Sequence, residues 1–216
     1  VKLKVLEGAL KERLLTALRD ERSDTATFKR AAHQLSKLLI GEALKELKLK
    51  PIPIKTPVAR GTGYEAAQEV VFVPILRAGL AALPAAVELY PEGRIGFLGM
   101  KRDEETLKPF TYYAKVPAVK GARYLILDPM LATGGTAEAA VKFLKGLNVP
   151  EEDITFVATV AAPEGLSRLK EFSITVVTAA VDEKLNPQGY IVPGLGDAGD
   201  RFCGTDGVEV IESYGV

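Results

Sequence analysis

The run Asp128-Pro129-Met130-Leu131-Ala132-Thr133-Gly134-Gly135-Thr136 combines residue types that can hold a phosphate. It follows the apolar segment ending at Leu127 and leads into a helical pattern that begins near Ala137. A strand, a Gly- and Thr-rich turn and a helix N-terminus together aim several backbone N–H groups, and the positive end of a helix dipole, at one point. Thr133 and Thr136 add hydroxyl donors, and Gly134 and Gly135 let the backbone approach closely. Asp128 stands at the carboxyl end of the strand, where open α/β sheets bind ligands. A carboxylate repels a monophosphate, so Asp128 is better suited to accept hydrogen bonds from sugar hydroxyls. The same run also reads as a tight strand-to-helix connection with Thr as the helix cap. A triphosphatase loop needs a Lys directly after its glycines, and none stands here.

Other polar residues carry less by themselves. Arg77, in Leu76-Arg77-Ala78-Gly79 after an apolar run, reads on type alone as an ion-pair partner at a strand end. Arg102, among Lys101, Asp103 and Glu104, reads as a solvated charge. Gly194 to Gly199 satisfies G-x-G-x-x-G, but a dinucleotide fingerprint needs a following helix, a second strand and an acid about 20 residues on. With 17 residues after Gly199 in the sequence, this run is expected to serve another purpose. His33 sits in a helical pattern as a face residue, and Cys203 has no His partner and reads as a filler in a turn.

The elements that must position these groups follow from periodicity. Leu10, Leu14, Leu15 and Leu18, then Leu35, Leu38 and Leu39, mark two helices, the second starting near Thr27. Pro51 to Gly63 reads as an extended crossing with turns. Apolar runs then alternate with helical stretches. They are Val70 to Ile75 then Leu80 to Leu89, Ile95 to Met100, Tyr124 to Leu127 then Ala137 to Leu147, Ile154 to Val160 then Glu164 to Lys170, and Ile174 to Ala180. Fully apolar strands followed by helices require a parallel sheet covered on both faces, hence an α/β fold. Met100 to Gly121, charged and aromatic with Lys108-Pro109 at its centre, predicts a two-stranded arm outside the sheet, at about 103–118. From Asn186 onward the glycines predict a loop that wraps a site.

DPMLATGGT (128–136) resembles the 5-phosphoribosyl-1-diphosphate loop of the uracil phosphoribosyltransferase family. Four further segments resemble the family in the same order: VPILRAGL (73–80), GMKRDEET (99–106), VAAPEGL (160–166) and GYIVPGLGDAGDRFCGT (189–205). The likeness runs from about Arg19 to Gly204. It implies a type I phosphoribosyltransferase fold, a parallel sheet flanked by helices with a protruding β-arm and a small base-binding hood at about 184–205. The implied reaction joins uracil to 5-phosphoribosyl-1-diphosphate, giving UMP and diphosphate in pyrimidine salvage. The resemblance assigns Asp128 to Thr136 to the ribose and its 5-phosphate, and Arg77 and Arg102 to the diphosphate. At Arg77 it implies a backbone loop often built on a non-proline cis peptide. It assigns backbone groups of Ile191, Gly196 and Ala198 to uracil, and Asp197 to the sugar of the other substrate. Cations at the diphosphate (Arg77, Arg102 and Mg2+) and carboxylates near the ring (Asp128, Asp197) suit a reaction that separates charge at C1. Mg2+ is expected through diphosphate and water rather than a protein cage, and no general base for uracil N1 stands out.

The arm with Glu105, Tyr112 and Tyr113 reads either as a cover that excludes water from the diphosphate or as a dimerisation arm. Lys101 stands where the family commonly has an aromatic residue, and the tail Asp206 to Val216 runs past the usual end, with no role assigned. Leu127 before Asp128, where the wider superfamily often has a second acid, favours the uracil branch. GTP as an effector and a dimer or tetramer are further implications of the likeness.

Composition bounds these readings. The 216 residues are 47% hydrophobic, enough for one domain with a substantial core. Lys and Arg number 28, as do Asp and Glu, so no strong positive field favours nucleic acid or an anionic membrane. That balance weighs against the other class considered, a nucleotide-sensing regulator that binds RNA or DNA. The GLGDAGD segment weighs against a purine-base transferase. One cysteine, no Cys/His cluster and no apolar run of about 18 residues lead to the expectation of a soluble cytoplasmic protein.

Overall fold

The apolar runs form the centre of a largely parallel sheet in a computed structural model that describes residues 1–102 and 109–211. In chain order the elements are β1 (Lys2–Val5), α1 (Ala9–Arg19), α2 (Thr25–Leu44), β2 (Leu49–Lys55), β3 (Arg60–Ala66), β4 (Val70–Leu76), α3 (Leu83–Leu89), β5 (Arg94–Ile95), β6 (Phe97–Arg102) and β7 (Pro109–Lys115). There follow β8 (Arg123–Leu127), β9 (Met130–Leu131), α4 (Gly135–Gly146), β10 (Ile154–Ala161), α5 (Pro163–Leu169), β11 (Thr175–Val181), β12 (Lys184–Leu185), β13 (Ile191–Val192) and α6 (Ala198–Cys203). The sheet order is β1-β11-β10-β8-β4-β6-β7, with β5 beside β4 and β9 beside β10. Every pairing in it is parallel except β6 with β7.

Alternation along the strands divides the core into two layers. Phe72, Leu125, Leu127, Val157, Val177 and Ala179 pack with residues of α1, α2 and α3. Val71, Val73, Ile75, Tyr124, Ile126, Phe156 and Val176 pack with Ala137, Ala140, Val141 and Leu144 of α4. α2 starts where the Asp24 carboxylate accepts the Thr27 N–H at 2.7 Å, and it buries Phe28, Ala31, Ala32, Leu35, Leu39, Ile40 and Ala43 on one face. From β4 the chain crosses to β6 on one side and then returns to β8 on the other. The carboxyl ends of β4 and β8 therefore flank the switch point where such sheets form ligand crevices.

Four segments differ from expectation. β1, not anticipated, lies parallel to β11 at the sheet edge, with Lys2 opposite Thr175. Pro51 to Gly63 belongs to a two-stranded antiparallel hairpin of β2 and β3, from Leu49 opposite Ala66 to Lys55 opposite Arg60. Pro51 and Pro53 fit there because the hairpin forms its own two-stranded sheet, with an open edge on each strand. β7 is not wholly outside the sheet: it pairs with β6 from Phe97 opposite Lys115 to Arg102 opposite Pro109, as the edge strand. Tyr112 and Tyr113 lie on it, whereas Glu105 and the rest of 103–108 lie outside the described residues. The glycine-rich stretch after Asn186 contains the short helix α6, which ends at Cys203. The tail from Asp206 to Ile211 carries no strand, and 212–216 lie outside the described residues.

Candidate active site

β4 ends in a cis peptide between Leu76 and Arg77 that involves no proline, as the family resemblance implied. Arg77 is exposed at that end. β8 delivers Asp128 to the neighbouring carboxyl end, and the following residues run beside β10 instead of looping free. Pro129 O accepts the N–H groups of Thr159 and Val160 at 2.9 and 3.1 Å, and Leu131 O accepts that of Ala162 at 2.9 Å. Met130 and Leu131 form β9 against Val160 and Ala161. Gly134, at φ 78°, caps α4 with no side-chain hydrogen bond, and Gly135 and Thr136 open the helix. The first N–H groups of a helix lack internal partners, so this N-terminus is suited to an anion.

The loop has a backstop that motif reading alone did not explain. A Cβ at Gly165 of α5 would lie 2.6 Å from Ala132 O and 2.8 Å from Leu131 O. Only glycine lets the loop backbone rest on that helix. The VAAPEGL segment is therefore the support of the 128–136 loop.

Asp128, Met130 and Ala132 line a cleft of ≈ 450 Å³ together with Ile191, Gly196, Asp197 and Ala198. This volume lies in the range of small-molecule sites. Asp128 Oδ1 accepts the Met130 N–H at 3.4 Å, and burial pushes the carboxyl up to about 7. Asp197 caps α6, accepting the Asp200 N–H at 2.9 Å. Arg77 does not stand free: its Nη2 donates to Asp200 Oδ1 at 2.8 Å. The Asp200 carboxyl is held below its usual range, first by the Thr205 hydroxyl and then by Arg77. Arg102 ends β6, the strand beside β4.

The hood is fixed by groups that spacing did not single out. Arg19 of α1 makes a two-pronged contact with buried Asp182, Nη1 to Oδ2 at 2.8 Å and Nη2 to Oδ1 at 2.6 Å. Gly194 joins this pair at both ends: its N–H reaches Asp182 Oδ2 at 2.9 Å, and its carbonyl accepts from Arg19 Nη1 at 2.9 Å. Arg201 of α6 donates to the carbonyls of Leu18, Asp20 and Leu195 and lies 4.5 Å from the centre of the Phe28 ring. These contacts tie the cleft's second wall to the first two helices. The partners that span the two walls, Arg19 with Asp182 and Gly194 and Arg201 with Leu18 and Asp20, are 163 to 183 residues apart in sequence, with no local signal to connect them.

The family model described as uracil phosphoribosyltransferase matches residues 5–205. The chain is 45% identical over 208 residues to the uracil phosphoribosyltransferase of Limosilactobacillus fermentum, covering 94% of this chain and 99% of that protein. It is 47% identical over 210 residues to that of Streptomyces coelicolor, with 94% and 99% covered. Among solved structures, the AQ2163 protein from Aquifex aeolicus is similar at 38% identity and TM-score 0.86, covering 93% of this chain and 97% of that one. The adenine phosphoribosyltransferase of Leishmania donovani shares the fold at 12% identity and TM-score 0.55, with 84% of each chain covered.

Proposed function

This chain belongs to the uracil phosphoribosyltransferase family, and from that premise we propose that it transfers the phosphoribosyl group of 5-phosphoribosyl-1-diphosphate to uracil. The products are UMP and diphosphate, a step of pyrimidine salvage. The observation that carries this reading is a cleft at the switch point, which Asp128, Ile191, Gly196, Asp197 and Ala198 line together.

As the C1–diphosphate bond breaks, positive charge grows on the ribose ring and negative charge on the leaving oxygens. Arg77 and Arg102 stand at the ends of β4 and β6, on the side suited to the leaving group. Asp128 and Asp197 present carboxylates to the cleft, where they hold ribose hydroxyls and favour the developing cation. Loop residues Thr133 to Thr136 hold the 5-phosphate at the start of α4. Uracil N1 then forms the new bond to C1, its proton leaving to the departing diphosphate or to solvent. Main-chain groups of Ile191, Gly196 and Ala198 read its O2, N3–H and O4, and cytosine, which reverses the pattern at N3 and C4, leaves buried groups unpaired at about 1–3 kcal/mol each.

The hard oxygen donors Asp128 and Asp197 fit a Mg2+ ion that is reached mainly through ligand phosphates and water. When bound, that ion would neutralise the leaving diphosphate. The edge strand β7 exposes Phe110, Tyr112 and Tyr113, which supports a homo-oligomer, dimer or tetramer, joined through this strand. GTP as effector rests on family likeness, and the cytoplasm on the lone Cys203.

The test is UMP formation from labelled uracil and 5-phosphoribosyl-1-diphosphate, with and without Mg2+ and GTP, beside cytosine, hypoxanthine and orotate. UMP from uracil alone, reduced by Asp128→Asn and Arg77→Ala, is the expected result. Turnover of another base would overturn the base assignment, and ligand binding without turnover would favour a nucleotide-sensing role.

A further inference from the structure

We infer that Asp200 is a positioning residue for Arg77, and that Thr205 in turn holds Asp200; the inference rests on the reading of Arg77 as a diphosphate ligand. One carboxylate oxygen, Asp200 Oδ1, accepts both Arg77 Nη2 at 2.8 Å and the Thr205 hydroxyl at 2.7 Å. The Asp200 N–H donates to Asp197 Oδ1 at 2.9 Å, while the Asp200 carbonyl accepts the N–H groups of Gly204 and Thr205 at 2.8 and 3.0 Å. A single residue therefore joins the end of β4, the cap of α6 and the turn that closes α6. The two carriers are also packed together, since a Cβ at Gly199 would lie 3.6 Å from Ala78 Cβ.

The guanidinium of Arg77 is a planar fork with five N–H donors. A bond through Nη2 to Asp200 fixes its direction and leaves other donors for ligand oxygens. The pair is partly open to solvent, with side-chain exposures of 44% and 31%, so it adds little to stability. Its effect lies in ordering a long side chain before the ligand arrives, which favours binding and the reactive geometry. Were Asp200 instead a competitor that the diphosphate must displace, its removal would tighten binding.

The experiment measures the Kd of 5-phosphoribosyl-1-diphosphate with Mg2+ by calorimetry, and KM and kcat for both substrates. It uses the full chain, Asp200→Ala, Asp200→Asn, Thr205→Val, Arg77→Ala and the double variant Asp200→Ala/Arg77→Ala. Asp200→Ala is expected to weaken binding of the sugar diphosphate about tenfold and Thr205→Val about threefold, with Asp200→Asn between them. KM for uracil should change less than about twofold, and melting temperatures by less than about 4 °C. In the Arg77→Ala background, Asp200→Ala should add no further loss. Tighter binding in Asp200→Ala, losses that multiply in the double variant, or a loss confined to uracil would each overturn the inference. If the unaltered protein makes no UMP but binds the sugar diphosphate, the base assignment fails while the calorimetric cycle still decides the role of Asp200.

Discussion

Asp128 stands in an environment far from that of a carboxyl in water. Burial pushes its carboxyl up to about 7 from 3.8, so the fold disfavours the charged form, the one that the proposed contact with ribose hydroxyls needs. In the unfolded chain the carboxyl ionises near its ordinary value. Its contribution to stability is therefore complete below about pH 4 and is lost as pH rises through about 7. For function the sign is opposite: kcat/KM for the sugar diphosphate should rise with pH and level off above about 7, because that profile reports the free protein. Asp128→Asn should lose activity by about 100-fold or more and show no such limb. At pH 8 its melting temperature should equal or exceed that of the unaltered protein. A lower melting temperature there would show that the charge is better compensated than its burial implies.

At the scale of elements, the two walls of the cleft are held by different means. The 128–136 loop rests on α5 at Gly165, so Gly165→Ala must push Leu131 and Ala132 away. Calorimetry should show binding of the sugar diphosphate weakened at least about tenfold, with a stability loss of about 1–3 kcal/mol. The hood hangs on the pairing of Arg19, Asp182 and Gly194. Asp182→Asn breaks a buried ion pair, which costs about 3–5 kcal/mol where no group replaces the charge. It should raise KM for uracil more than KM for the sugar diphosphate, since Gly194 lies between Ile191 and Gly196. An equal rise in both constants would argue that the hood serves the whole cleft. The strands and the helices of the core were legible in the sequence because unbroken apolar runs and helical apolar spacing are both local signals. The β2–β3 hairpin, α6 and β1 were not, because their residues are exposed, glycine-rich or too few to show a period.

Across the whole molecule, the site draws on Arg19, Arg77, Asp128, Asp182 and Asp200, which the sheet order brings together from both ends of the chain. Such a site exists only in the folded state, and ligand binding must therefore stabilise the entire domain. At a sugar diphosphate concentration of 100 Kd the gain is about 2.7 kcal/mol, which corresponds to a rise in Tm of roughly 5–10 °C. Differential scanning calorimetry should show one transition moving upward with ligand. Two transitions, only one of them ligand-dependent, would mean that the hood unfolds separately from the sheet.

By itself the sequence determined the α/β class, the strand-to-helix turn at 128–136, and, through five ordered segments, the family. Each of these is written in contiguous residues, because strand period, turn chemistry and helix start are local properties. Tertiary structure alone decided what holds those pieces in place. It assigned Asp200 and Thr205 to Arg77, Arg19 and Asp182 to the hood, and Gly165 to the loop. It also raised the Asp128 carboxyl, through burial that the neighbouring residues in sequence do not reveal. The reason is physical: ion pairs, close backbone approach and desolvation depend on distance in space, which chain order does not encode until the sheet has set which ends meet.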